Sequence, residues 1–133
     1  MSLDIFAQFA TDESLENNGT WFPLAEGTRV LVARSGNRAY AKLLTKLVEQ
    51  GRKSLDLGGE VADKKSDEIM VEVMAKTILL GWEGVSFKGV DLEYSVENAM
   101  QVLSVKDFRK LIAQFADDTA AFKMKAEVEQ GKA

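Results

Sequence analysis

A chain of 133 residues with 46% hydrophobic and 29% charged side chains is long enough for one core and too short for two ordinary ones. Cysteine and histidine are both absent, which excludes disulfides, thiolate nucleophiles, the usual zinc sites and any triad built on imidazole. The net charge of −4 argues against nucleic acid as the main partner, and no apolar run approaches the roughly 20 residues that span a bilayer.

Residues 1–18 read as an N-terminal arm or short helix. Leu3, Ile5, Phe6 and Phe9 supply its apolar part, and the acidic stretch from Thr11 to Asn18 reads as a loop. Met1 to Ala10 has no basic residue and no long apolar stretch, so it does not read as a secretory signal, and a soluble intracellular protein is expected. Residues 19–34 predict a hairpin. Gly19 to Leu24 forms one strand, demoted to an edge by Pro23, which has no N–H to give to a ladder. Glu26-Gly27 supplies the turn, and Thr28 to Arg34 alternates around Val30 and Val32. A two-stranded hairpin is marginal alone and must pack on helices.

A helix is predicted over 37–50. Tyr40, Leu43, Leu44, Leu47 and Val48 recur at helical spacing, Asn37 suits the N-cap and Gly51 the stop. Ser54 to Lys65 reads as a flexible connection through Gly58-Gly59. A second helix is predicted over 66–81, with Ile69, Met70, Val73, Met74, Thr77 and Ile78 on one face and Trp82 folded over its last turn as a lid. Gly84 and Gly89 then suit a loop or small hairpin. Ser95 caps a helix over 95–103, and Ser104 with Asp107 opens a last helix over 105–126, leaving 127–133 as a frayed tail. The expected fold is α+β, mainly α: one domain, helical, with a small N-terminal β-hairpin.

Nothing in this chain predicts catalysis, a cofactor or a metal. Asp117 and Asp118 are neighbours, and side chains about 100° apart on a helix do not make an acid/base pair. Asp56 to Asp63 is acidic but lacks the alternating oxygen ligands of a calcium loop. The charges are unevenly distributed. Residues 25–55 hold seven of the 17 basic residues and only two of the 21 acidic ones. Opposite-signed surfaces of this kind let copies stack head to tail, or steer a nucleic acid or an acidic partner, unless they are simply solvated faces. The candidate partner-binding residues are Trp21, Arg34, Arg38, Trp82, Phe122 and Met124, with core packing as the alternative for the aromatic ones.

Taken in order, Gly19-Thr20-Trp21, Ala33-Arg34, Gly36-Asn37-Arg38 with Tyr40, Leu80-Gly81-Trp82-Glu83-Gly84-Val85, Gly89, Tyr94-Ser95 with Asn98-Ala99, and Phe108 to Phe122 with Ala116-Asp117 form a pattern. That pattern resembles the tail assembly chaperones of long-tailed bacteriophages, the group that includes lambda-like and HK97-like siphoviruses. The resemblance implies a small, mostly helical, non-enzymatic factor that binds the tape measure protein, keeps it soluble and helps tail tube subunits assemble around it. It implies location in the host cell cytoplasm, absence from the finished virion, and in many members a longer form made by frameshifting, for which Gln130-Gly131-Lys132 is the candidate position. Such a factor is also expected to form weak homo-oligomers. The alternatives from other classes are a small structural subunit of the tail or head-tail connector, and an enzyme or regulator acting on nucleic acid.

Overall fold

Two strands cannot hold a stable sheet in water, and in this chain a third comes from far along the sequence. In a computed structural model, which describes residues 1–124, β1 (Thr20–Ala25) pairs antiparallel with β2 (Thr28–Val32), and β2 pairs antiparallel with β3 (Leu79–Glu83). The sheet order is β1-β2-β3, so β1 with Pro23 is an edge. Gly27 turns the hairpin with φ of 79°. The fold is α+β and mainly α.

The helices are α1 (Ile5–Phe9), α2 (Glu13–Asn18), α3 (Arg38–Gln50), α4 (Arg52–Asp56), α5 (Gly59–Thr77), α6 (Val96–Leu103) and α7 (Lys106–Ala116), followed by a 3-10 turn at Thr119–Phe122. A second, two-stranded ribbon, β4 (Ser86–Phe87) with β5 (Val90–Asp91), lies between β3 and α6.

Several elements differ from the sequence reading. The stretch read as a loop before the hairpin contains α2, because the Asp12 carboxylate accepts from the Ser14 and Leu15 N–H groups and nucleates the turn. The connection read as flexible is α4 and the first turns of α5, so α5 begins seven residues before the predicted position. The helix predicted to reach 81 ends at Thr77, and the chain goes directly into β3. Trp82 is therefore a buried strand residue and no lid. The last helix stops at Ala116, and Asp118 restarts the chain as a 3-10 turn by accepting from the Ala120 N–H. Ser104 does not form a capping box. Its hydroxyl donates to the Gln101 carbonyl, and Val105 stands at the N-cap without a side-chain bond. The predicted end of the last helix at 126, the tail 127–133 and Gln130-Gly131-Lys132 lie outside the described residues.

The core sits between the inner face of the sheet and the helices. Phe22, Val30, Val32, Leu79 and Trp82 from the sheet meet Ile69, Val73, Met74, Val102, Leu103 and Ile112 from the helices. Phe22 stacks on Phe115 at 4.5 Å and lies 6.3 Å from Phe122, so the 3-10 turn closes the far end. Asn37 is a buried polar junction. Its Oδ1 accepts from the Tyr40 N–H while Nδ2 donates to the Arg34 and Thr77 carbonyls, tying the ends of β2 and α5 to the start of α3. The buried Asn37 amide thus has partners for both its oxygen and its nitrogen away from water.

Candidate interaction surfaces

Strand pairing sorts the sheet into two faces. One face carries Phe22, Val30 and Trp82 in a row across the three strands, all buried. The other carries the rows Trp21-Leu31-Gly81 and Pro23-Arg29-Glu83. On that outer face Trp21 is 39% exposed, and the Arg29 guanidinium lies 4.0 Å from the centre of its ring. Arg29 also holds Glu83 through two hydrogen bonds of 3.0 and 2.9 Å. Hydrogen bonding from Arg29 lowers the Glu83 carboxyl below its ordinary value, against a small opposing effect of burial, and the guanidinium charge adds to it. The result is a flat aromatic-cation patch on solvent.

A groove of about 820 Å³ runs along α5 between α3 on one side and α6 with α7 on the other. Leu47, Ile69, Val71 and Met100 supply its apolar part. Lys64, Lys65 and Lys106 line it together with Glu60, Asp63 and Glu68. Arg109 fixes one wall, because Nη1 donates to the Leu103 carbonyl at 2.9 Å and Nη2 reaches the Asp67 carboxylate at 3.4 Å. Its side chain is only 14% exposed, so it acts as a strut between α7, the end of α6 and α5.

A smaller cleft of about 520 Å³ lies where α2 meets the start of α3, lined by Arg34 and Arg38 and by Glu13 and Glu16. Arg38 approaches Glu13 at 3.9 Å. The Arg34 guanidinium lies 5.6 Å from the Phe122 ring centre, and its Nη1 is buried without a hydrogen-bond partner among the described residues. Two cations and two carboxylates leave this cleft without net charge.

The six residues singled out from the sequence fall into separate places. Arg34 and Arg38 share the small cleft. Trp21 is on the outer sheet face. Trp82 is buried on the inner one, its indole Nε1 donating to the Leu92 carbonyl at 2.9 Å and its ring edge-to-face with Tyr94 at 5.1 Å. Phe122 is fully buried, which removes it from any contact surface of this fold. The core needs its ring because the turn carrying it covers Phe22. Met124 is 45% exposed and donates its N–H to the Ala10 carbonyl. The groove along α5 went unrecognised in the sequence, although the mixed charges between Glu60 and Glu72 on a helix were its one visible sign.

Among the described residues no helix is long and apolar enough to cross a membrane, and no group of three acidic side chains is placed to hold a metal ion.

The model of a family described as YdaY prophage protein matches residues 35–133. The chain belongs to this family. It is thus a phage-related protein. No curated protein and no solved structure matches it. The matched region of the YdaY family begins after β2, yet β3 inside it pairs with β2 outside it. The YdaY region therefore shares one core with the hairpin that precedes it: Phe22, Val30 and Val32 cannot be removed without uncovering Trp82 and Ile112.

Proposed function

We propose that this chain is a tail assembly chaperone that binds the tape measure protein, keeps it soluble and assists assembly of the tail tube, acting by binding rather than by catalysis. The observation that carries the reading is the groove along α5. It brings apolar side chains together with charges of both signs, which suits an amphipathic helix of a client that offers apolar anchors and charges for both. A long coiled client offers such helices repeatedly. Membership of a prophage protein family supports a role in phage biology, and the resemblance to tail assembly chaperones narrows it. In this reading the protein works in the host cytoplasm, is absent from the virion, and reaches the tail tube protein through a longer frameshifted form.

Co-expression with the long coiled protein encoded nearby tests the proposal. The expected outcome is that the client becomes soluble and co-purifies, and that the double substitution Lys64→Glu with Lys106→Glu, both exposed on the groove wall, abolishes this with the circular dichroism spectrum unchanged. A client that stays insoluble and does not co-purify overturns the reading. Finding the chain in purified particles assigns it instead to the structural subunits.

A further inference from the structure

Among the described residues, the N-terminal helix joins no part of the core. Leu3, Ile5, Phe6 and Phe9 are 60%, 62%, 69% and 64% exposed, no residue of α1 is buried, and none joins the core. A five-residue helix gains little from its own hydrogen bonds in water, and among the described residues nothing covers its clustered apolar face. The helix is nonetheless attached firmly at its root. The Asp12 N–H donates to the Phe122 carbonyl at 2.8 Å, the Met124 N–H donates to the Ala10 carbonyl, and Thr11 bridges Lys123. The described residues thus hold an exposed apolar arm on a fixed base.

The sign of its charge narrows the target. Residues 1–18 carry Asp4, Asp12, Glu13 and Glu16 and no lysine or arginine. That composition disfavours an anionic membrane surface, which attracts interfacial helices through basic residues. The complementary surface is on this same chain. Helix α3 exposes Arg38, Lys42 and Lys46, with Glu49 its single acidic residue. Its apolar stripe is not fully covered: Leu47 is buried, Tyr40, Leu43 and Leu44 pack against the core yet stay partly exposed, and Val48 is partly exposed too. Lys42 and Lys46 make no ion pair among the described residues.

We propose that α1 of one copy docks along α3 of a second copy, its Phe6 and Phe9 rings covering the partly exposed edge of that stripe and the acidic N-terminal segment facing Lys42 and Lys46. Opposite charge selects the pairing and its rate, and apolar burial holds it. The inference concerns self-contact and does not rest on the client reading. The surfaces it uses lie apart from the groove-wall lysines of the co-expression test.

Sedimentation of the purified chain over a range of concentrations tests it. The wild type is expected to self-associate, and to do so at least about tenfold more weakly in concentrated than in dilute salt, because exposed charges are screened. Phe6→Asp with Phe9→Asp is expected to be monomeric with an unchanged thermal melt, since neither ring touches the core. Lys42→Glu with Lys46→Glu is expected to be monomeric too. Mixing these two variants restores one good contact, the intact arm of the second on the intact α3 of the first, and is expected to yield a one-to-one heterodimer. A wild type that stays monomeric at all concentrations overturns the proposal, as does an arm variant that associates like the wild type, a mixture that remains monomeric, or a monomer that floats with lipid vesicles through its arm.

Discussion

The two faces of one small sheet treat the same side chain in opposite ways. Trp82 and Trp21 both follow short glycine-containing stretches, and both stand on strands that flank β2. Trp82 falls in register with Val30, faces the helices, and finds an acceptor for its indole N–H in the Leu92 carbonyl. Trp21 falls in register with Leu31, faces away, and stays 39% exposed with the Arg29 guanidinium over its ring. Side chains alternate along a strand, so one residue of register decides which tryptophan becomes core and which becomes surface. Composition and local motif carry no such information.

The contrast breaks most severely at Trp82. Trp82→Ala is expected to destabilise by about 3–5 kcal/mol, through the emptied volume and the orphaned Leu92 carbonyl, measured as a fall in the urea midpoint. An effect no larger than that at Trp21 would erase the distinction between the faces. Gly84→Ala comes next. Gly84 holds φ at 72°, and a methyl group there would run into the Gly27 carbonyl, so β3 would have to shift away from the hairpin turn. A loss of about 1–3 kcal/mol is expected, and replacement by Asn, which tolerates positive φ, should not recover it because the overlap remains.

Trp21→Ala is expected to cost less than about 1 kcal/mol, as a half-exposed ring loses mainly its contact with Arg29. Its unfolding slope in urea should match the wild type. A collapse of the fold would make the outer face part of the core. The smallest effect belongs to Glu83→Gln. The folded state holds the Glu83 carboxyl below its unfolded value, so the ion pair contributes above the unfolded pKa and is lost as pH falls through the folded one. The difference in melting temperature between wild type and Glu83→Gln should therefore be present near neutrality, vanish in acid, and shrink with salt because both partners are exposed.

Much of the fold was legible in the sequence where one face is wet and the other dry. The hairpin and α3 follow from alternation, from helical spacing, and from Asn37 and Gly51 at the ends. The missed elements are those lacking such contrast. Strand β3 extends the apolar run Ile78-Leu79-Leu80, so it reads as the end of a helix, and only pairing with β2 reveals a strand. The first half of α5 is exposed at Glu60, Val61, Asp63 and Lys64, so it lacks a stripe, and Gly58-Gly59 disguises its start. The start of α2 was signalled by Asp12 with acidic Glu13 and Glu16 behind it, a helix-entry pattern obscured by general acidity. Of the candidate surfaces, basic α3 could be read directly. The groove could not, because it is made by four helices brought together from distant positions.

The stacking of Phe22 on Phe115 and its approach to Phe122 also set the order in which the molecule can be completed. During synthesis the hairpin emerges early, yet its inner face waits for β3 and then for the 3-10 turn near the far end of the described chain. Contacts between such distant residues close large loops and form late. A nascent chain therefore carries an incompletely covered Phe22, Val30 and Val32 until the segment through Phe122 has emerged, and a ribosome stalled between β3 and Phe122 would hold a sheet without its lid.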